Sequence, residues 1–303
     1  MSGRVHGVED AKTLTIEINL AMCLCSASKF AAGEKLARKV LTGRKRLLGS
    51  EDKQTMSGMR ILEKCLISQR KYVEAEELLR GSVLLSGRVY GLVHSNTLWR
   101  ENQLAWCLYN TKKFSEAEEL ARKVLAGQKQ LRGVEHPITL EAVYSVGLCL
   151  YIQDKFVEAE ITVRNLLVLS GRVHGNEHLK TLRTRDTLAK CLIGQGKHVE
   201  AEETLNEVLA VRKRVQGELH SDTQTTTCNL AESFSRQGKH TDAQVLHCDM
   251  LKACTLAYGT RDPKTVKASA NLFDNIQARE KAPACVHKRP AEDSQASRKK
   301  PKT

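Results

Sequence analysis

Two stretches decide the fold: Lys113-Phe114-Ser115-Glu116-Ala117-Glu118 and Gly133-Val134-Glu135-His136-Pro137-Ile138-Thr139-Leu140. Their counterparts, Lys155-Phe156-Val157-Glu158-Ala159-Glu160 and Gly175-Asn176-Glu177-His178-Leu179-Lys180-Thr181-Leu182, lie 42 residues further on. Outward from there, Thr13, Thr55, Thr97, Thr139, Thr181, Thr223 and Thr265 keep the same 42-residue step without insertion or deletion. Gly7, Gly49, Gly91, Gly133, Gly175, Gly217 and Gly259 keep it too. A fixed period of this size marks a stacked repeat array. Such an array builds an extended concave surface rather than a pocket around one catalytic centre.

Within one unit, Leu98, Leu104, Ala105 and Leu108 fall at helical spacing between Thr97 and Thr111, and Lys112-Lys113-Phe114 interrupts them. A second helical pattern runs from Ser115 through Ala117, Leu120, Ala121, Val124 and Leu125 to about Leu131. Ser115 is the expected N-cap, and Glu116, Glu118 and Glu119 are expected to stand in solvent near the positive end of the helix dipole. Gly133 is expected to end the helix as a left-handed cap. Small residues recur on both helices, at Ala75, Ala117, Ala159, Ala201 and Ala243, and at Ala21, Ala105, Gly147, Ala189 and Ala231. They let facing backbones approach closely while leucine columns fill the seams.

This arrangement resembles tetratricopeptide repeats, which carry a small residue at one fixed position per helix, and its 42-residue form is similar to the kinesin light chain family. The resemblance covers residues 1 to about 280. It implies an all-α, right-handed α-solenoid of stacked helix-turn-helix repeats. The expected organisation is residues 1–10 as the tail of a truncated repeat and 11–262 as six 42-residue units. Residues 263–280 would form a capping helix with a polar outer face built from Asn271, Asp274, Asn275, Gln277, Arg279 and Glu280, and 281–303 a disordered basic tail. The chain opens on Ser2-Gly3-Arg4-Val5-His6-Gly7, which matches Ser86–Gly91 and Ser170–Gly175, rather than on the heptads that dock a motor subunit in kinesin light chains.

Five of the ten cysteines reduce to one repeat position, Cys23, Cys65, Cys107, Cys149 and Cys191, expected to serve as small buried hydrophobes. Equivalent positions in adjacent units should lie on the order of 10 Å apart, too far for a disulfide. With no Cys-x-x-Cys pair, no metal site is expected. His94, His136, His178 and His220 are likewise one loop position repeated, which suits a capping role and not a catalytic one. No phosphate loop, nucleophile elbow or paired-histidine motif occurs, so neither an enzyme nor a cofactor is expected. No apolar run approaches the ~18 residues of a membrane span, and no membrane association is expected.

In this repeat class the first helix of each pair lines the inner wall, which places Trp99, Asn102, Trp106 and Tyr109 with Tyr144 and Tyr151 as an aromatic floor. Arg60, Lys64, Arg183 and Lys190 would flank it, with Asp186 exposed among them. The expected function is a non-enzymatic scaffold whose groove binds a peptide or helix of a partner, an acidic or aromatic-anchored segment as the resemblance implies. The opposing reading is that the tryptophans are ordinary core. Of the net charge of +13, the tail from Lys281 carries +5 and the rest +8. Lys288 and Arg289, then Arg298, Lys299, Lys300 and Lys302, resemble a bipartite signal for a nuclear import receptor, so nucleus or cytoplasm is the expected location. Nucleic-acid association is the less favoured alternative, because acids are interspersed in every unit; a degenerate array without a specific ligand is another.

Overall fold

The computed structural model describes residues 11–281. The truncated-repeat segment at 1–10 and the import residues Lys288, Arg289, Arg298, Lys299, Lys300 and Lys302 lie outside them. Thirteen helices follow one another: α1 (Ala11–Ser26), α2 (Phe30–Leu48), α3 (Lys53–Ser68), α4 (Tyr72–Tyr90), α5 (Ser95–Asn110), α6 (Phe114–Arg132), α7 (Pro137–Ile152), α8 (Phe156–His174), α9 (Leu179–Gly194), α10 (His198–Gln216), α11 (Ser221–Arg236), α12 (His240–Tyr258) and α13 (Pro263–Lys281). The first helix of each pair has 16 residues and the second 19. Three-residue links within pairs and four-residue links between them complete the 42-residue step.

Each helix packs on the next in the chain, as stacked hairpins require. First helices of successive units also touch (α1 on α3, α7 on α9, α9 on α11, α11 on α13), whereas second helices make no comparable contact. The first-helix side is therefore the inner arc of an α-solenoid. Alanine and leucine columns fill the interior; Ala75, Ala117, Ala159, Ala201 and Ala243 are wholly buried.

The paired Thr and Gly columns have one cause. Thr97, Thr139 and Thr181 each donate their hydroxyl to the carbonyl of the glycine six residues earlier, Gly91, Gly133 and Gly175, at 2.8 Å. This bond clasps the link between units. The glycine itself departs from the expected left-handed cap: Gly133 has φ 86° but ψ 171°, an extended mirror-image conformation open almost only to glycine. Beyond the glycine, His94, His136, His178 and His220 cap the next helix, their Nδ1 accepting the N–H two residues on at 3.1–3.2 Å. Asp52 does the same in the second unit.

The turn inside each pair also departs from expectation. Ser115 is not the N-cap; α6 begins at Phe114 with Lys113 in the cap position and no side-chain cap bond. The left-handed residue precedes it, Lys112 at φ 64°, with Lys113 N–H bonding Leu108 O and Lys112 N–H bonding Tyr109 O in a Schellman closure. Ser28, Arg70 and Asp154 take the same positive φ, and only units five and six supply glycine there, at Gly196 and Gly238.

The motif acids are not all solvated. Glu116 is exposed, but Glu76, Glu118 and Glu160 are only 5–8 % exposed and reach into the following unit. Glu118 accepts from Lys155 at 2.8 Å, Gln153 at 2.7 Å and Arg122 at 2.9 Å. Glu160 repeats this with Lys197, Gln195 and Arg164, and Glu34 with Lys71, Gln69 and Arg38. The arginine then continues to the next unit, Arg80 to Glu116 and Arg122 to Glu158. Burial opposes ionisation, yet hydrogen bonds from Lys71, Gln69 and Arg38 hold Glu34 at about 2, and those from Lys197, Arg164 and Gln195 hold Glu160 at about 2. The sequence reading missed these bonds because the amide and lysine partners lie 35 and 37 residues away.

One unit interface differs. Position 63 belongs to the small-residue column of first helices, yet carries a wholly buried Glu63. It meets Arg100, 1 % exposed, at 3.3 Å, and Arg100 also donates to Met56 O at 2.7 Å. The equivalent positions elsewhere hold two small residues, such as Ala105 with Ala142. Burial raises the Glu63 pKa against the pull of Arg100, so the charged pair stands only while both partners are present.

The cysteine reading needs two corrections. Cys107, Cys149 and Cys191 are buried, but Cys23 is exposed. Cys65 is joined to Cys25 in a disulfide, with Cα atoms 6.3 Å apart. Cys25 lies outside the repeated cysteine column, two residues beyond Cys23, so the spacing argument did not cover it.

Three outcomes follow from these features. Lys112→Gly, which supplies the residue that units five and six already use, raises stability by about 1 kcal/mol in a denaturant melt. The depressed carboxylates contribute stability that is complete above the ordinary value of 4.5 and is lost as pH falls toward about 2. Thermal melts therefore weaken across that window, and Glu160→Gln lowers stability at pH 7 by about 1–2 kcal/mol and flattens the acid slope. Glu63→Ala alone costs about 3–5 kcal/mol, and a double-mutant cycle with Arg100→Ala shows the double variant more stable than the sum of the singles.

Candidate groove on the inner wall

On α5, Asn102, Gln103, Trp106 and Tyr109 share one face by their spacing of three and four residues, while Leu104 and Leu108 turn into the seam. Trp106 is 43 % exposed, and its indole stacks on Tyr109 with ring centroids 5.6 Å apart and planes at 7°. Tyr109 is fixed from behind by the edge of Phe114 at 5.8 Å. On α7, Glu141, Tyr144, Ser145 and Leu148 complete the opposite wall, and Arg183 of α9 closes one end. The open groove they form has a volume of about 570 Å³.

Polar groups at its edge are held in place. Arg183 lies 4.0 Å over the Tyr144 ring and donates to Glu141 at 2.6 Å, and Lys180 pairs with the same carboxylate at 3.0 Å. Burial pushes the Glu141 pKa up, but Arg183 and Lys180 outweigh it and keep the carboxyl ionised. The Tyr144 hydroxyl meets Thr187 Oγ1 at 3.2 Å, and burial raises its pKa. Glu141 is thus neutralised by its own neighbours.

Trp99 and Trp106 do not share one cavity. Trp99 lies in an adjoining hollow of about 260 Å³ with Arg60, Gln128 and Arg132, and Arg60 covers its ring at 4.4 Å. The two hollows meet at Asn102 and Glu141, which line both. Tyr151 packs on Phe156 at 5.8 Å and lines neither. Lys64 is exposed and Lys190 half-buried, and neither lines these hollows. Asp186 is not an exposed wall residue: it is 6 % exposed, ion-paired with Arg212 and bonded to Thr226 at 2.9 Å. Gln128 and Arg132 of α6 were not foreseen, because they reach the hollow from a second helix, where the repeat register alone gives no reason to expect them.

Chemically, the site offers an exposed indole, an apolar floor and neutralised or basic edges, suited to non-covalent capture of a side chain or helix. Among the described residues no group of three His, Cys, Asp or Glu side chains is placed to hold a metal, and no helix is long and apolar enough to cross a membrane.

Tetratricopeptide repeat families match residues 13–52, 64–130, 139–214 and 187–255. Among solved structures, the chain is similar to a putative kinesin light chain with nearly identical TPR-like repeats from P. anserina, at 22% identity and TM-score 0.60, covering 67% of this chain and 96% of that one. It is also similar to BtubC (BKLC) from P. vanneervenii, at 15% identity and TM-score 0.55, covering 96% of this chain and 99% of that one. A Rap protein complexed with Competence and Sporulation Factor aligns at 10% identity and TM-score 0.54, covering 89% of this chain and 90% of that one. At these identities the likeness concerns the fold. No curated protein sequence matches the chain. With its family matches extending over most of its length and its hairpins stacked in the same order, the chain belongs to the tetratricopeptide repeat family.

Proposed function

We propose that the chain is a non-enzymatic scaffold that captures a peptide or helix of another protein in the groove formed by α5, α7 and α9. The stacked Trp106–Tyr109 pair carries this reading, with the indole 43 % exposed at a cavity of about 570 Å³. A tryptophan serving only as core would be sealed by its neighbours; this one presents its ring to open space on the inner arc. Aromatic groups in such hollows dominate interface energetics.

The charge around the groove supports an acidic segment with an aromatic or large aliphatic anchor. Glu141 is matched by Arg183 and Lys180, leaving Arg60 beside Trp99 and Lys64 on the neighbouring helix as surplus cations. These would speed encounter with an anionic peptide and weaken it with salt. The similar fold of a Rap protein complexed with Competence and Sporulation Factor fits a solenoid that holds a binding partner.

Titration with acidic, aromatic-anchored peptides is expected to change the tryptophan fluorescence. Trp106→Ala is expected to weaken binding by at least about 30-fold, with the helical content unchanged. Undiminished affinity in that variant, or no peptide response at all, removes the groove reading.

A further inference from the structure

α13 only partly matches the polar cap expected from sequence: Asp274, Arg279 and Glu280 are exposed, but the two asparagines turn inward. Asn275 is 6 % exposed and bonds Ser235 at 2.9 Å, and Asn271 bonds Cys228 at 3.3 Å, so both turn inward onto α11. Outward stand Phe273, 59 % exposed, and Val266, 56 % exposed. With Ala270, Ser269 and, from α12, Leu251, they line a groove of about 580 Å³.

The repeat register shows what this face would ordinarily meet. Val266 occupies the column of Leu98, Leu140 and Leu182, which are 0–3 % exposed because the second helix of their own unit covers them. Phe273 occupies the column of Ala105, Gly147, Ala189 and Ala231, where that second helix comes closest. At Gly147 an added Cβ would already stand 2.9 Å from Val163 of α8. A phenylalanine there would hold a seventh second helix further out than in units three to six. The segment after α13 offers no apolar stripe either, since residues 282–303 contain six Lys or Arg and only one large aliphatic residue, Val286.

We propose that this face is an interface with a second copy of the same chain, joined by a two-fold axis. The face carries both a knob, Phe273, and a groove, bounded by Leu251, Val266 and Ala270, as a self-complementary contact requires. Its charges match in the same arrangement. In an antiparallel pairing of two α13 helices centred between Ala270 and Asn271, Lys267 of one copy faces Asp274 of the other, twice. Both residues are exposed beside the apolar stripe, and Ala270 at the centre permits close approach.

Sedimentation velocity of the full chain in reductant tests this. A dimer forming at micromolar concentration is expected, and Phe273→Asp is expected to raise its dissociation constant at least about 30-fold without altering the circular-dichroism melt. Lys267→Asp and Asp274→Lys singly weaken the dimer, and the double exchange restores it. A monomer at all concentrations overturns the proposal, as does a dimer indifferent to Phe273→Asp. Failure of the double exchange to restore association overturns the antiparallel register. Hydrogen-exchange protection of 266–273 in a monomer, lost when 282–303 are removed, would assign the face to the chain's own C-terminal segment instead.

Discussion

The motif carboxylates, buried at Glu34, Glu76, Glu118 and Glu160 and half-buried at Glu202, are the joints on which the stack depends. Each sits on a second helix and accepts from a lysine and a hydroxyl or amide of the next unit's turn, such as Lys113 and Thr111 for Glu76. In the first four, an arginine one turn on binds the carboxylate and reaches across as well. An isolated hairpin could not satisfy such a carboxylate. Neighbouring units therefore gain charge-assisted bonds on stacking, in addition to the apolar area they cover.

Repetition of that joint frees the inner wall to vary. The columns that hold the fold (Thr, Gly, the small residues, the motif Glu) are spent on the seams and the links. The groove positions of α5, α7 and α9 carry Trp106, Glu141, Tyr144 and Arg183, which follow no column. The same separation of roles appears at Glu63–Arg100, where a charged pair replaces two small residues at one interface. A buried pair of this kind adds little stability over apolar packing, but it penalises any alternative register that separates the partners.

The concave arc and the terminal face have different chemistry. The arc offers aromatic rings edged by cations, suited to a ligand from another molecule. The face at α13 is apolar with matched charges, suited to a copy of itself. Binding at one leaves the other open, because they lie on different helices and share no residue.

The period by itself determined the all-α fold, that its units are hairpins, and that His94, His136, His178 and His220 cap helices. A constraint that recurs in every unit leaves a mark at every 42nd residue. It also placed Trp106, Tyr109 and Tyr144 on one wall, since helical spacing alone sets which side chains share a face. Only the stacked structure decided which acids are buried, that Trp99 and Trp106 occupy separate hollows, that Asp186 pairs inward with Arg212, and that Asn271 and Asn275 turn inward while Phe273 faces out. Each of these depends on a partner some 25 to 43 residues away, across a helix crossing whose angle and spacing no local pattern records.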